Sequence, residues 1–154
     1  HHNRQTIAES TADDDFFQLV SGRMEDVDYT RMLRTSTFCL HLRGFQVWSP
    51  RLIEYLWFGC IPVVLGDDYY LPYSALFDWD KFSIRICEAD AGNIKKVLKA
   101  ISPERIDDIR RRLREVVHHF TFHNPPQSGD AFDMAVYQLS LRSESIKSLG
   151  RGML

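Results

Sequence analysis

Three polar side chains, Ser49, Arg51 and Glu54, lie at the start of a predicted helix near the middle of the chain. Ser49 is a good N-cap, and Pro50 suits the first helical position because proline has no N–H to leave unpaired. The free amides of a helix start attract an anion, and Arg51 adds a fixed positive charge. Glu54 lies on the same side of the helix as Arg51 and can accept hydrogen bonds from a vicinal diol. A phosphate site beside a ribose site describes a nucleotide.

The loop before this helix adds two residues to the candidate binding site. Arg43 offers a second guanidinium, and Gly44 lets the backbone turn closely around a ligand. A simpler interpretation stays open, in which Arg51 and Glu54 form a surface ion pair worth well under about 1 kcal/mol and Ser49 is only a cap. Spacing alone does not decide between a nucleotide site and a solvated helix start.

Two short apolar segments frame the helix, and both are predicted to be strands of a parallel sheet. They lie at residues 37–42 and 61–65. Gly59 stands where a left-handed residue would end the helix. The unit is therefore βαβ, and its first loop leaves the carboxyl end of a strand, where ligands bind in open α/β sheets. The helix face toward the sheet is predicted to carry Leu52, Ile53, Leu56 and Trp57, and the other face Arg51, Glu54, Tyr55 and Phe58.

The remaining segments continue the alternation of strands and helices. This order predicts an α/β fold with a Rossmann-like parallel sheet and flanking helices. Further strands are predicted at residues 16–20 and 82–86, and further helices at 29–36, 91–100, 103–119 and 130–146. Asp28, Asp90 and Ser102 are predicted to cap three of these helices. Core-facing positions are predicted at Met32 and Leu33, and on the last helix at Phe132, Ala135, Val136 and Leu139.

Composition places these segments in one ordinary domain. Of the 154 residues, 44% are hydrophobic and 12% aromatic, and the net charge is −2. Such a chain buries one core and has no general attraction to nucleic acid or anionic membranes. We predict a polar segment at residues 1–15, one lobe at 16–146 and a tail at 147–154. No apolar run approaches the roughly 20 residues of a membrane span. The sequence shows no signal peptide, and it starts with histidine, which suggests a fragment.

For the cysteines and the acidic clusters, structural roles are favoured over ligand binding. Cys39 and Cys60 are predicted to be buried apolar thiols. A metal site at residues 13–15 is conceivable, but a solvated terminus is favoured. Asp67 and Asp68 are favoured as turn residues over sugar ligands. Three tyrosine side chains could either line the cleft or pack in the core, and both roles stay open: Tyr69, Tyr70 and Tyr73.

Two basic clusters in the C-terminal part are predicted to hold no ligand. His118, His119 and His123 lie around a predicted helix end without cysteines nearby, so we predict no metal site there. The arginines of residues 103–119 share their helix with acidic residues, which favours a solvated face over a patch for an acidic partner. We expect neither a metal ion nor a cofactor.

Several blocks of the chain resemble, in the same order, the C-terminal, nucleotide-sugar-binding half of exostosin-like glycosyltransferases, above all the plant members. The central blocks are Phe38-Cys39-Leu40, Arg43-Gly44, Ser49-Pro50-Arg51-Leu52-Ile53-Glu54 and Gly59-Cys60-Ile61-Pro62-Val63. The resemblance covers roughly residues 29–141. Family members usually carry proline at the position of Leu42.

The resemblance implies the C-terminal lobe of a GT-B type transferase and inverting transfer from a nucleoside diphosphate sugar, such as a UDP-sugar, to a polysaccharide or glycan. It implies that the helix start at Ser49 and Arg51 stabilises the departing diphosphate with help from Arg43, and that Glu54 holds the ribose. The general base would come from the other lobe, so the chain alone is expected to be inactive. In such two-lobed enzymes the last helix often reaches back to that lobe. The alternative is a noncatalytic lobe that binds or stabilises a partner.

The resemblance also implies where the parent protein works. It would be a type II membrane protein on the lumenal side of the Golgi, anchored by a segment upstream of this chain. Its acceptor would be a cell wall polysaccharide, and a hetero-complex with a related transferase is one expected assembly. Which sugar is transferred, to which particular acceptor and through which linkage is not predicted.

Overall fold

A computed structural model describes residues 2–11, 15–20, 25–42 and 49–151. Helices and strands alternate along these ranges. The helices are α1 (His2–Thr11), α2 (Asp26–Thr35), α3 (Arg51–Phe58), α4 (Ile94–Lys99), α5 (Pro103–Val116) and α6 (Ala131–Arg151), and the strands are β1 (Phe38–Leu42), β2 (Ile61–Leu65) and β3 (Ile84–Ile86). Short 3₁₀ helices lie at Trp79–Lys81, Glu88–Asn93 and Val117–Phe120. Within these ranges, no helix combines the length and the apolar character needed to cross a membrane.

The strands form a parallel sheet in the order β1-β2-β3. Phe38 of β1 lies opposite Ile61 of β2, and Val63 of β2 lies opposite Ile84 of β3. All residues of β2 are buried, as expected for a central strand with helices on both faces. The predicted βαβ unit, β1-α3-β2, is therefore confirmed.

Successive residues of β2 point to opposite faces of the sheet and divide the core into two clusters. On one face, Val64 packs with residues of α3, α5 and the segment after β2: Leu52, Leu56, Tyr69, Leu71, Trp79, Phe82, Leu113 and Phe120. On the other face, Val63 and Leu65 pack mainly with residues of α1, α4 and β3: Ile7, Ile86, Ala91, Ile94 and Leu98. Helices therefore flank the sheet on both sides, as predicted. However, α1 belongs to the segment 1–15 that was predicted to be a polar terminus outside the lobe, and its Ile7 is buried in the core.

Local signals at the helix ends act as the sequence predicts. Gly59 ends α3 with φ 73°, in the left-handed region, and its N–H donates to carbonyls of the last helical turn. Ser102 caps α5, since its Oγ accepts from the Arg105 amide at 3.3 Å. Asp130 differs from the prediction, which placed it inside the last helix: it caps α6, and its Oδ1 accepts from the Phe132 amide at 2.9 Å.

The limits of α2 and of two later elements differ from the prediction. α2 begins at residue 26, so Asp28 belongs to its first turn, where it pairs with Arg31 at 2.7 Å, and is not its cap. Leu33 of this helix is buried as predicted, and Met32 is half-buried. Asp90 lies inside the 3₁₀ helix that precedes α4, so it does not cap an α-helix. β3 is shorter than residues 82–86 because the amides at 82 and 83 donate to a carbonyl of the preceding 3₁₀ helix.

The strand predicted at residues 16–20 is wrong. This segment has no regular structure, and Phe16, Leu19 and Val20 are exposed. Phe17 does pack against the cluster around Val63, and the Lys99 ammonium lies 5.3 Å from the Phe16 ring centre. A short apolar run can therefore contact the core through single side chains without joining the sheet.

The predicted faces of α3 are partly wrong. Trp57, expected to face the sheet, is 52% exposed, and its Nε1 donates to Thr121 Oγ1 at 2.9 Å. Tyr55, expected on the outer face, is buried and donates to the Leu40 carbonyl at 3.2 Å. The reason is that α2 covers a second side of α3, so that helix packs against two neighbours.

Cys39 and Cys60 are buried as predicted, but they are not free thiols. They form a disulfide with a Cα–Cα distance of 5.8 Å. The parallel pairing of β1 with β2 brings Cys60 beside β1, where both cysteines pack with Leu33 and Tyr55. Cys87 remains an exposed free thiol. Burial of both cysteines was readable from the sequence, whereas their pairing depends on the register of the strands.

The core face predicted for α6 is also wrong. Phe132, Val136 and Leu139 are 59%, 50% and 65% exposed, and Ala135 is half-buried. The helix continues past residue 146 to Arg151. Its apolar side chains recur at helical spacing, but most of that stripe lies beyond the reach of the sheet and the helices that pack on it.

Candidate functional site

A cleft of about 1400 Å³ opens along β1 and beside the start of α3. Ser49 and Arg51 line it, together with residues of β1 and α2 that include His41 and Tyr29. The structure therefore brings two predicted site residues to one cavity at the carboxyl end of a parallel strand. Glu54 is not among the lining residues. Arg43 and Gly44 lie outside the described residues.

The start of α3 lies one residue later than the sequence predicts, because Pro50 takes the N-cap position and the helix begins at Arg51. Ser49 Oγ accepts from the Arg51 amide at a long 3.4 Å, and the amides of Ile53 and Glu54 donate to the Pro50 carbonyl at 3.0 and 3.3 Å. The first helical amide is therefore held only weakly and can turn to an anion in the cleft.

The Arg51 side chain is exposed and forms no ion pair with a carboxylate of the described residues. The predicted alternative, a surface pair between Arg51 and Glu54, is therefore not formed. With no carboxylate partner among the described residues, a guanidinium at a helix start can offer its N–H donors to a planar anion such as a phosphate group.

Glu54 has a different partner, which the sequence did not reveal. Its Oε2 accepts a hydrogen bond of 2.6 Å from the Tyr29 hydroxyl of α2. Burial raises the pKa of Tyr29 well above its usual value, and the Glu54 carboxylate raises it further. The phenol therefore stays protonated and keeps donating. No spacing rule could have found this pair, because its members are 25 residues apart on separate helices.

His41 is a second residue that the sequence did not identify. It is buried in β1, and its Nε2 lies 3.1 Å from the Tyr69 hydroxyl in the loop after β2. Burial, and to a lesser degree the positive charge of Arg51, lower the pKa of His41 to about 4. The imidazole is therefore neutral near pH 7. In the sequence it looks like one polar residue in an apolar strand.

Comparison with known proteins assigns the chain to a family. The sequence profile of the exostosin GT47 domain matches residues 1–101, which is more than half of the chain. The chain belongs to the exostosin GT47 family. The resemblance found in the sequence is thereby confirmed, and it extends over the site described above.

Curated plant relatives match most of this GT47 chain. A probable glycosyltransferase of Arabidopsis thaliana is 34% identical over 125 residues, which is 81% of this chain and 27% of the relative. A probable glucuronoxylan glucuronosyltransferase of the same plant is 36% identical, with 67% of this chain and 22% of the relative covered. A probable β-1,4-xylosyltransferase, also from Arabidopsis thaliana, is 32% identical, with 79% and 30% covered. The chain thus spans about a quarter of the length of these relatives.

The loop after β2 in this GT47 chain has a mainly structural role. Asp67 Oδ1 accepts from the Glu88 amide at 3.3 Å, and Asp68 adopts φ 56°, so both serve the turn as favoured from the sequence. Tyr73 donates to the Ala131 carbonyl at 3.1 Å and packs on the core, whereas Tyr70 is exposed.

The described part of the GT47 chain contains no group of His, Cys, Asp and Glu residues that could hold a metal ion. His118 Nε2 and His119 Nδ1 donate to the carbonyls of Ser128 and Gly129 at 2.9 and 2.6 Å, which ties down the loop before α6. The acidic run at residues 13–15 lies largely outside the described residues. On α5, Asp108 pairs with three arginines, in agreement with a solvated face.

Proposed function

We propose that this chain is the nucleotide-sugar-binding, C-terminal lobe of a GT-B type glycosyltransferase, and that the intact enzyme uses a UDP-sugar with inversion. The observation that carries the proposal is Arg51, which has no carboxylate partner among the described residues and lines a large cleft at the start of α3. Membership of the exostosin GT47 family supports the same reading.

The chemical task of this lobe is to stabilise the leaving diphosphate. Its negative charge grows as the bond to the sugar breaks, and a guanidinium with a helix start in a preorganised cleft opposes that charge. We assign the diphosphate to Ser49 and Arg51, with Arg43 assisting. Loss of one such donor typically lowers the rate by about 10²–10³. The ribose is assigned to the Glu54 side of the helix start.

The proposed acceptor is supported by the relatives, and the proposed cellular compartment is supported by the Cys39–Cys60 disulfide. Relatives carry the names of glucuronosyl- and xylosyltransferases, which supports a cell wall polysaccharide or glycan as acceptor. The Cys39–Cys60 disulfide supports an oxidising compartment such as the Golgi lumen, reached through an upstream anchor. A hetero-complex with a related transferase is part of the same proposal. The general base belongs to the other lobe, so this chain alone binds donor without turnover.

Titration of the chain with UDP, followed by calorimetry and amide chemical shifts, tests the proposal. Arg51→Ala should weaken binding at least tenfold, because a charged hydrogen bond to phosphate is worth about 1.5–3 kcal/mol. Arg114→Ala is the matched control, since Arg114 is an exposed arginine of α5. The proposal fails when the wild type does not bind UDP, when both variants bind alike, or when the shifts map away from α3.

A further inference from the structure

The hydrogen bond between Tyr29 and Glu54 is donated by the tyrosine, and this direction indicates a ligand-binding role for the tyrosine. We infer that Tyr29 makes the contact to a donor ribose through its hydroxyl oxygen, and that Glu54 acts as the positioning residue behind it. This inference rests on the proposed function, since it names how the ribose end of the same cleft is recognised.

The first support is which member of the pair faces the cleft. Tyr29 lines it, together with Ser49 and Arg51, whereas Glu54 does not. The 2.6 Å bond runs from the Tyr29 hydroxyl to Glu54 Oε2. A phenol that gives its only proton to a carboxylate keeps its oxygen lone pairs free, and these can accept from a ribose hydroxyl.

The second support is how firmly Tyr29 is held. Its ring packs against the buried cluster of Leu33, Tyr55 and the Cys39–Cys60 disulfide, which fixes α2 beside α3. Because the carboxylate accepts from the phenol, the negative charge of Glu54 polarises the O–H bond and makes the phenol oxygen a stronger acceptor. A diol would therefore meet an acceptor whose position is set before binding.

The third support is the place of the pair relative to the diphosphate site. Glu54 follows Arg51 by less than one helical turn, so the two sit on neighbouring positions of α3. The charge of Arg51 acts on Tyr29 and lowers its pKa slightly against the dominant effects of burial and Glu54. Tyr29 and Arg51 line the same cleft, so the phenol and the guanidinium can engage different parts of one nucleotide.

The test removes the Tyr29 hydroxyl from the protein and, separately, the two ribose hydroxyls from the nucleotide. Wild type and Tyr29→Phe are titrated with UDP, with 2′,3′-dideoxy-UDP and with inorganic pyrophosphate. Tyr29→Phe should weaken UDP about three- to tenfold, as for one neutral hydrogen bond, and should leave the dideoxy nucleotide and pyrophosphate unchanged. Glu54→Ala should weaken UDP by itself but add nothing in the Tyr29→Phe background.

Tyr73→Phe is the matched control, because its hydroxyl also donates to an acceptor of the protein but lies away from the cleft lining. The inference is overturned when Tyr29→Phe keeps the preference for UDP over the dideoxy nucleotide, when pyrophosphate binding falls equally, or when Glu54→Ala causes a further loss in the Tyr29→Phe background. Failure of the proposed function looks different, since then the wild type binds neither UDP nor pyrophosphate through Arg51.

Discussion

The Cys39–Cys60 disulfide should contribute a large part of the stability of this chain. It closes a loop with a sequence separation of 21, between the second residue of β1 and the residue before β2. The entropy that a loop of this length removes from the unfolded chain corresponds to about 3 kcal/mol at 25 °C. We therefore expect a reductant, or the double variant Cys39→Ala and Cys60→Ala, to lower the free energy of unfolding by about that amount.

Urea unfolding with and without a reductant measures this effect. Cys87→Ala is the control, because Cys87 is exposed and outside the disulfide, so this variant should respond to the reductant as the wild type does. A thiol assay on the unreduced native protein should count one reactive group per chain. Three reactive thiols, or a loss on reduction well below about 1 kcal/mol, would refute the reasoning.

Two further predictions concern single residues outside the proposed diphosphate contacts. Because the pKa of His41 falls from 6.5 to about 4 on folding, the unfolded chain takes up a proton between these values and the folded chain does not, so stability should drop by up to about 3 kcal/mol as the pH falls through this window. Urea titrations of His41→Gln should lack this part of the pH dependence, and equal slopes would contradict the prediction. Gly59→Ala should cost about 1 kcal/mol, since φ is 73° although a Cβ there meets nothing within 4 Å. Gly92→Ala has the same open space without a left-handed φ and should be nearly neutral, so equal melting temperatures for the two variants would argue against backbone strain.

The parts of the fold that the sequence predicts are those with local causes. Gly59 ends α3 through groups within one turn, and that limit is right, whereas α3 begins at Arg51, one residue later than predicted, with Pro50 in the N-cap position. The β-branched run of β2 is buried on both faces wherever it is placed in a parallel sheet, so its position is right as well. Ser102 belongs with them, because its cap contact is three residues away.

The parts that could not be predicted depend on a third element. Tyr55 is buried and Trp57 is exposed, opposite to the prediction, because α2 packs on α3. A helical wheel of α3 alone does not show that neighbour. The apolar stripe of α6 shows the converse. Phe132 and Leu139 are at core spacing, yet the sheet and its helices do not reach them, so periodicity alone predicted burial that did not follow.

The same division applies to the proposed donor site, in which Ser49, Arg51 and Glu54 were named from the sequence and Tyr29 was not. The diphosphate end needs Ser49, Arg51 and a helix start, which are consecutive in the chain and fold locally. The proposed ribose end has the Tyr29 hydroxyl against Glu54, and these residues lie on α2 and α3, which pack together around the Cys39–Cys60 disulfide. A charged group can act over several ångströms through an approximate position, whereas a 2.6 Å hydrogen bond between helices requires packing to fix both ends. The proposed phosphate contacts therefore depend on residues that are neighbours in the sequence, whereas the proposed contact to the sugar hydroxyls depends on the tertiary structure.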